Sequence, residues 1–208
     1  MNEQRSAAWL YERVGFCTAS KFAAVMDITK KGTEAAKRRN YRVQLAVERL
    51  TNEPTQNYVS VAMQHGVDTE PLARMAYEAR TGAVVEETGF IHHPTMQWVG
   101  GSPDGLVGAD GGMEIKCPFE SAVHVATLMD RHCEEHLAQV QGLLWITGRK
   151  WWDFVSFDPR MPKGLQLYVQ RVARDEAYIT DLADGVTRFL AEVEAQHAAL
   201  MRLAEESS

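Results

Sequence analysis

The stretch Gly101-Ser102-Pro103-Asp104-Gly105 is followed, after nine residues intervening beyond Asp104, by Glu114-Ile115-Lys116-Cys117-Pro118. Side chains alternate along a strand, so Glu114 and Lys116 share one face while Ile115 enters the core on the other. A turn through Gly108-Ala109-Asp110-Gly111-Gly112 closes a hairpin on this reading and brings Asp104 beside them. Two hard oxygen donors next to one lysine suit a Mg²⁺ ion that keeps several waters and shares a substrate phosphate. The lysine can then orient or activate an attacking water. The plain alternative is a surface cross-strand ion pair, worth under about 1 kcal/mol.

Other reactive side chains form weaker patterns. His65, His92, His93, His124, His132, His136 and His197 are scattered. His132 and His136 could share a helix face, but no third zinc ligand is evident, and Glu134 and Glu135 do not produce the H-E-x-x-H order. Cys17, Cys117 and Cys133 are odd in number and lack C-x-x-C spacing, which argues against disulfide frameworks, zinc ribbons and iron–sulfur clusters. Alternation turns Cys117 away from the face of Lys116, so it is expected to be inert. Trp151-Trp152 could stack nucleobases, but an alternating aromatic strand reads as core.

Lys and Arg number 22 against 28 Asp and Glu, a formal charge of −6, so a nucleic-acid partner would have to meet a local basic patch. Residues 27–39 are the most basic stretch, with Lys30, Lys31, Lys37, Arg38 and Arg39 against Asp27 and Glu34. That run is either a solvated loop and helix start or a phosphate-facing rim. At 208 residues, 45% hydrophobic and 24% charged, the chain has the makeup of one globular domain with a sizeable core, 1–208, and disorder, collagen-like repeats and coiled-coil arrays are excluded. No apolar segment follows Met1-Asn2-Glu3-Gln4-Arg5, and no run of 18 apolar residues occurs. The expectation is a soluble cytoplasmic protein, neither exported nor inserted in a membrane.

The elements that must position these residues read as an α/β unit. Residues 18–26 form a short helix capped by Thr18 or Ser20. Val43, Leu45, Val47 and Leu50 make 41–50 helical, and a helix over 62–81 carries Glu70, with Pro71 tolerable only in a first turn or at a kink. From 83 to 116, short apolar runs broken by Gly, Pro and Asp predict a compact antiparallel meander. A helix over 134–147 closed by Gly148, strands at 151–157 and 165–171, and a last helix from about 175 to 204 complete the chain. The last helix places Leu182, Val186, Phe189, Leu190, Val193, His197 and Leu200 on one stripe.

Read as a unit, Pro103-Asp104 and Glu114-Ile115-Lys116 match the PD-(D/E)xK nuclease pattern. The likeness extends further, through Trp9, Arg13, Gly15, Thr18-Ala19-Ser20, Gly66-x-x-x-Glu70, Ser102-Pro103-Asp104-Gly105-Leu106, Glu114-x-Lys116-Cys117-Pro118-Phe119, Gln139-Val140-Gln141 and Asp158-Pro159-Arg160-Met161. In this order the motifs resemble the bacteriophage lambda exonuclease family of alkaline exonucleases, also called YqaJ-type viral recombinases.

The resemblance implies a restriction-endonuclease-like central mixed sheet flanked by helices, with the catalytic motifs between 62 and 141. It implies Asp104 and Glu114 as metal ligands, the Ile115 carbonyl as a third, and Glu70 holding a second metal or its water. The metals would be two Mg²⁺ ions, with Mn²⁺ a substitute. Lys116 would position the nucleophilic water and Gln139 would be the active-site glutamine. Arg13, Ser20 and Ser102 would hold a 5′-phosphate, and Met63 would be either a strand-separating wedge or a core methionine. The implied activity is 5′→3′ digestion of one strand of linear double-stranded DNA, leaving a 3′ overhang. The implied assembly is a ring-shaped homotrimer threaded by DNA, with the basic run 30–39 lining the channel, working with a single-strand annealing protein in a phage-infected or lysogenic bacterium. The competing readings are a restriction-like endonuclease, a Cas4-like nuclease, which the missing cysteine cluster weakens, and a catalytically inactive DNA-end-binding protein of the same fold.

Overall fold

The computed structural model describes residue 4 and residues 6–29, 32–55, 59–131 and 133–207. Lys30, Lys31 and His132 lie outside the described residues. The helices are α1 (Ala7–Glu12), α2 (Phe22–Val25), α3 (Ala36–Thr51), α4 (Val61–Thr81), α5 (Ser121–Asp130), α6 (Leu137–Thr147) and α7 (Glu176–Glu206). The strands are β1 (Cys17–Thr18), β2 (Val85–Glu86), β3 (Ile91–His92), β4 (Val99–Gly101), β5 (Gly105–Val107), β6 (Gly111–Lys116), β7 (Trp151–Phe157) and β8 (Leu167–Ala173).

The strands form two sheets, not one meander. β2-β5-β6-β7-β8 make a five-stranded mixed sheet, and β1-β4-β3 make a separate three-stranded one. The expected hairpin is there: β5 runs antiparallel to β6, with Gly105 opposite Met113. The meander breaks because β4 pairs in parallel with β1, a partner far away in sequence that no local pattern announces. β6 and β7 are also parallel, joined by the crossover through α5 and α6.

Alternation along β6 and β7 sorts the two cores. On one face Met113, Ile115, Val155 and Phe157 pack with Ala73 and Tyr77 of α4. On the other, Trp152 joins Val140, Leu143 and Leu144 of α6 and Leu182, Val186 and Phe189 of α7. Asp153 on the α4 face is held by the Tyr77 hydroxyl at 2.7 Å and by two nitrogens of Arg171 at 2.9 Å. Trp152 is fully buried, and Trp151 lies under the Arg171 guanidinium at 3.6 Å, so the tryptophan pair is packing.

Most helix expectations hold with shifted ends. α3 begins earlier than 41, and Ala19–Lys21 tightens into a 3₁₀ turn before α2, with neither Thr18 nor Lys21 making a side-chain cap. Pro71 sits inside α4 rather than in its first turn, so the Val67 carbonyl loses its helical donor. α1 and α5 were not anticipated. Among the described residues, no helix is long and apolar enough to cross a membrane.

Arg38 is a correction. Expected on a basic rim, it is only 6% exposed. Its guanidinium donates to the Val25 carbonyl, to Glu34 and to both oxygens of Glu192 on α7, above the Phe189 ring. These bonds fasten α3 to α7 and leave no free fork for a phosphate. Lys37 and Arg39 are exposed.

Candidate active site

Asp104 stands one residue before β5, and the hairpin register carries it to the end of β6. There its Oδ2 accepts the Ile115 backbone N–H at 2.7 Å. Glu114, 2% exposed, accepts at Oε1 from Lys116 Nζ at 2.6 Å and from Gln139 Nε2 at 2.5 Å. Lys116 also donates to Gln139 Oε1 at 3.2 Å, so strand and helix α6 close a three-residue ring of hydrogen bonds. Glu114 Oε2 is buried with no hydrogen-bond partner.

The electrostatics of this cluster are those of excess negative charge in a dry place. Burial, then repulsion from Glu114, raises the Asp104 carboxyl well above the ordinary carboxylate range. Burial also raises Glu114, although Lys116 and Gln139 pull the other way. For Lys116 burial works to lower the pKa, but Glu114 and Asp104 outweigh it and hold the ammonium above its usual value. A buried and a half-buried carboxylate whose ionisation is disfavoured, the buried one with an orphaned oxygen, are a donor set that fits a divalent cation. Among the described residues no group of three or more His, Cys, Asp or Glu is close enough to form a closed metal cage. Mg²⁺ does not require one, because it binds through one or two carboxylates and keeps its waters.

Glu70 approaches from α4. Arg74, one turn on, lies 3.4 Å from Glu70 Oε1, donates to the Asp104 carbonyl at 3.3 Å and also bonds Glu87. Arg74 was not anticipated. Its only sequence signal is the i,i+4 spacing from Glu70, which many solvated helix pairs share.

A cleft of about 150 Å³ opens at this cluster, and its lining includes Asp104, Glu114 and Gln139 together with Arg13, Ser20, Ser102, Trp9, Thr18 and Gln4. Six residues anticipated for two separate tasks therefore share one cavity. Arg13 caps the C-terminus of α1, and burial lowers its pKa. Ser20 follows β1 in the 3₁₀ turn, its hydroxyl 3.3 Å from that of Thr18. Met63, in the first turn of α4, is 52% exposed, which rules out the core reading.

Cys117 is not as remote as alternation suggested. Burial, then the charges of Glu70 and Asp104, push its thiol up to about 12, so it stays protonated and unreactive. His136 stacks on Phe154 at 5.1 Å, and burial, then nearby Lys116, lowers it to about 4. A histidine kept neutral in the fold but protonated near pH 6.5 when unfolded costs stability as the pH falls between those values. The loss across pH 6.5 to 4 is expected to reach about 2 kcal/mol after allowance for partial exposure. Asp104 and Glu114 titrate in the opposite sense and Asp158, lowered by Arg160, in the same one, so the comparison that isolates the imidazole is wild type against His136→Phe. Urea midpoints should fall less steeply with acid in the variant, and parallel curves would remove His136 from this role.

Known proteins resemble this chain in sequence and in fold. Residues 8–150 match the YqaJ-like viral recombinase domain. The crystal structure of an alkaline exonuclease, LHK-Exo, from Laribacter hongkongensis superposes with a TM-score of 0.89 at 41% identity, over 98% of this chain and 100% of that one. The same relative has been solved in complex with dAMP and superposes equally well. A phage-related exonuclease from Haemophilus somnus 129PT shares the fold at 14% identity, with a TM-score of 0.68 over 93% of this chain and 96% of that one. No curated protein sequence matches significantly. The fold is thus the restriction-endonuclease-like mixed sheet flanked by helices. With the match to residues 8–150 and the 41% identity across nearly its whole length, the chain belongs to the YqaJ-like viral recombinase family of alkaline exonucleases.

Proposed function

We propose that this protein is a Mg²⁺-dependent exonuclease that digests one strand of linear double-stranded DNA in the 5′→3′ direction from 5′-phosphorylated ends. Family membership and the similar alkaline exonuclease support a nuclease acting on DNA. The observation that carries the finer reading is the single cleft joining Arg13, Ser20 and Ser102 to Asp104, Glu114 and Gln139. An arginine fork and hydroxyls suit the extra oxygens of a terminal phosphate, while the paired carboxylates suit a metal that would activate the water attacking a phosphodiester. The relative's complex with dAMP, a nucleoside monophosphate, is in keeping with that use.

Asp104, Glu114, the Ile115 carbonyl and Glu70 would hold two Mg²⁺ ions, with Mn²⁺ as a substitute. When bound, the ions supply charge neutralisation and Lewis acidity at the scissile phosphate. Lys116, tethered by Glu114 and Gln139, directs the attacking water. Met63, exposed upstream of Glu70, separates the strands ahead of the cleft. Lys37 and Arg39, with Lys30 and Lys31, line the DNA passage of a ring-shaped homotrimer. α3 shows Val43, Val47 and Leu50 on one stripe, each about 40% exposed, as a self-association surface would. The 3′ overhang is passed to a single-strand annealing protein, in the cytoplasm of a bacterium carrying the encoding phage or prophage.

Duplexes with 5′-phosphate, 5′-hydroxyl and no ends test this reading in Mg²⁺. Phosphorylated linear DNA is expected to be degraded at least tenfold faster than hydroxyl-ended DNA, and closed circles to resist. Arg13→Ala is expected to erase most of the difference. Equal rates on both ends would remove the phosphate pocket, and cleavage of circles would indicate an endonuclease. Sedimentation that shows only monomer would remove the ring.

A further inference from the structure

Trp9 lines the cleft without having been given a task. Its indole Nε1–H donates to Ser102 Oγ at 3.0 Å. The Arg13 guanidinium carbon lies 3.9 Å from the centre of the same ring. One side chain thus touches two of the three cleft residues proposed to hold the phosphate, each by a different atom and a different force.

The hydrogen bond has a direction, and the direction matters. A serine hydroxyl has one proton and two lone pairs. With one lone pair taken by the indole N–H, which cannot accept, the Ser102 proton must point to some other acceptor. The open direction is the cleft. Arg13 shows the same need: it is half-buried, burial opposes its charge, and its contact with the Trp9 face leaves the edge of the fork for an acceptor. A guanidinium held over an aromatic face keeps its N–H groups in its own plane and can still bond an anion at its edge.

Resting on the 5′-phosphate reading above, we infer that Trp9 is a positioning residue for end recognition: its N–H aims the Ser102 hydroxyl and its ring aims the Arg13 fork at one terminal phosphate. The two effects are separable by substitution. Trp9→Phe keeps an aromatic face for Arg13 and removes the N–H, and Trp9→Leu removes both.

The readout is the ratio of kcat/KM on 5′-phosphate and 5′-hydroxyl ends of the same linear duplex, with urea midpoints recorded for each variant. Trp9→Phe is expected to lower the ratio about threefold, and Trp9→Leu by about as much as Arg13→Ala. Ser102→Ala should lower the ratio in the wild type but lower it less in the Trp9→Phe background, because the hydroxyl it removes is there no longer aimed by the indole. Variants that keep the wild-type ratio would overturn the inference while leaving the phosphate reading intact. So would rates that fall equally on both ends, or full additivity of Ser102→Ala with Trp9→Phe. A wild type with no end preference would overturn both, and that outcome is visible before any Trp9 variant is made.

Discussion

Asp104→Asn and Glu114→Gln should each reduce hydrolysis of linear duplex DNA in Mg²⁺ by at least about three orders of magnitude while the chain remains folded. The activity loss follows from charge. Glu114 is buried and Asp104 half-buried, and desolvation raises both, so the folded site disfavours their negative charge and a bound cation would favour it. Removing either charge removes most of the attraction for the metal. The same physics gives the sign of the stability change. A carboxyl whose folded pKa is raised favours the native state below its unfolded pKa and loses that contribution as pH rises through the folded value. At pH 7.5 without metal the two charges therefore oppose folding, and their neutral isosteres should show urea midpoints equal to or above wild type. Near-normal digestion by either variant would sink the assignment, and a collapse of the midpoint would mean the carboxylates are structural. Lys116→Ala should also abolish turnover yet keep metal binding by calorimetry, since it touches Glu114 by Oε1 and leaves Oε2 free.

The largest stability effect is expected at Gly112. It pairs with Trp152 across the parallel β6–β7 ladder, and a Cβ there would stand 2.3–2.5 Å from three atoms of the indole ring. Trp152 is fully buried among α6 and α7 side chains and has nowhere to go. Gly112→Ala should cost about 3 kcal/mol, at the upper end of overpacking by one methyl group. It should also lower activity, because Glu114 and Lys116 ride on the same strand. Gly111→Ala meets Trp151 as closely, but that ring is partly exposed under Arg171 and can tilt outward, so the cost should be smaller. Urea unfolding of the two variants beside wild type decides it. Equal midpoints for Gly111→Ala and Gly112→Ala would show that the core around Trp152 yields.

The catalytic pattern was readable because it is local. Asp104, Glu114 and Lys116 are joined by a hairpin whose register and side-chain alternation follow from a glycine-rich turn and a period of two. Gln139 was named from resemblance, and its bonds to Glu114 and Lys116 could not be inferred from spacing across the intervening crossover. α6 and α7 were readable from their apolar periodicity. α5 was not, because Val123 and Val125 are exposed and only His124 on that helix is buried.

The sequence by itself determined the chemistry: which residue types sit in a hairpin, where helices carry apolar stripes, and which family the motifs resemble. Only the tertiary structure decided which charges are available. Arg38 and Arg39 are adjacent letters in one basic run, yet one is buried against Glu34 and Glu192 while the other is exposed. The partner glutamate lies on α7, more than a hundred residues away, and whether a cation is spent inside the fold depends on which helix packs against it. The same holds for Trp9, which joins Arg13 to Ser102 only because β4 pairs with β1 and brings the start of the chain to the catalytic hairpin. Long-range pairing is set by the burial of whole faces, and no window of the sequence contains both partners.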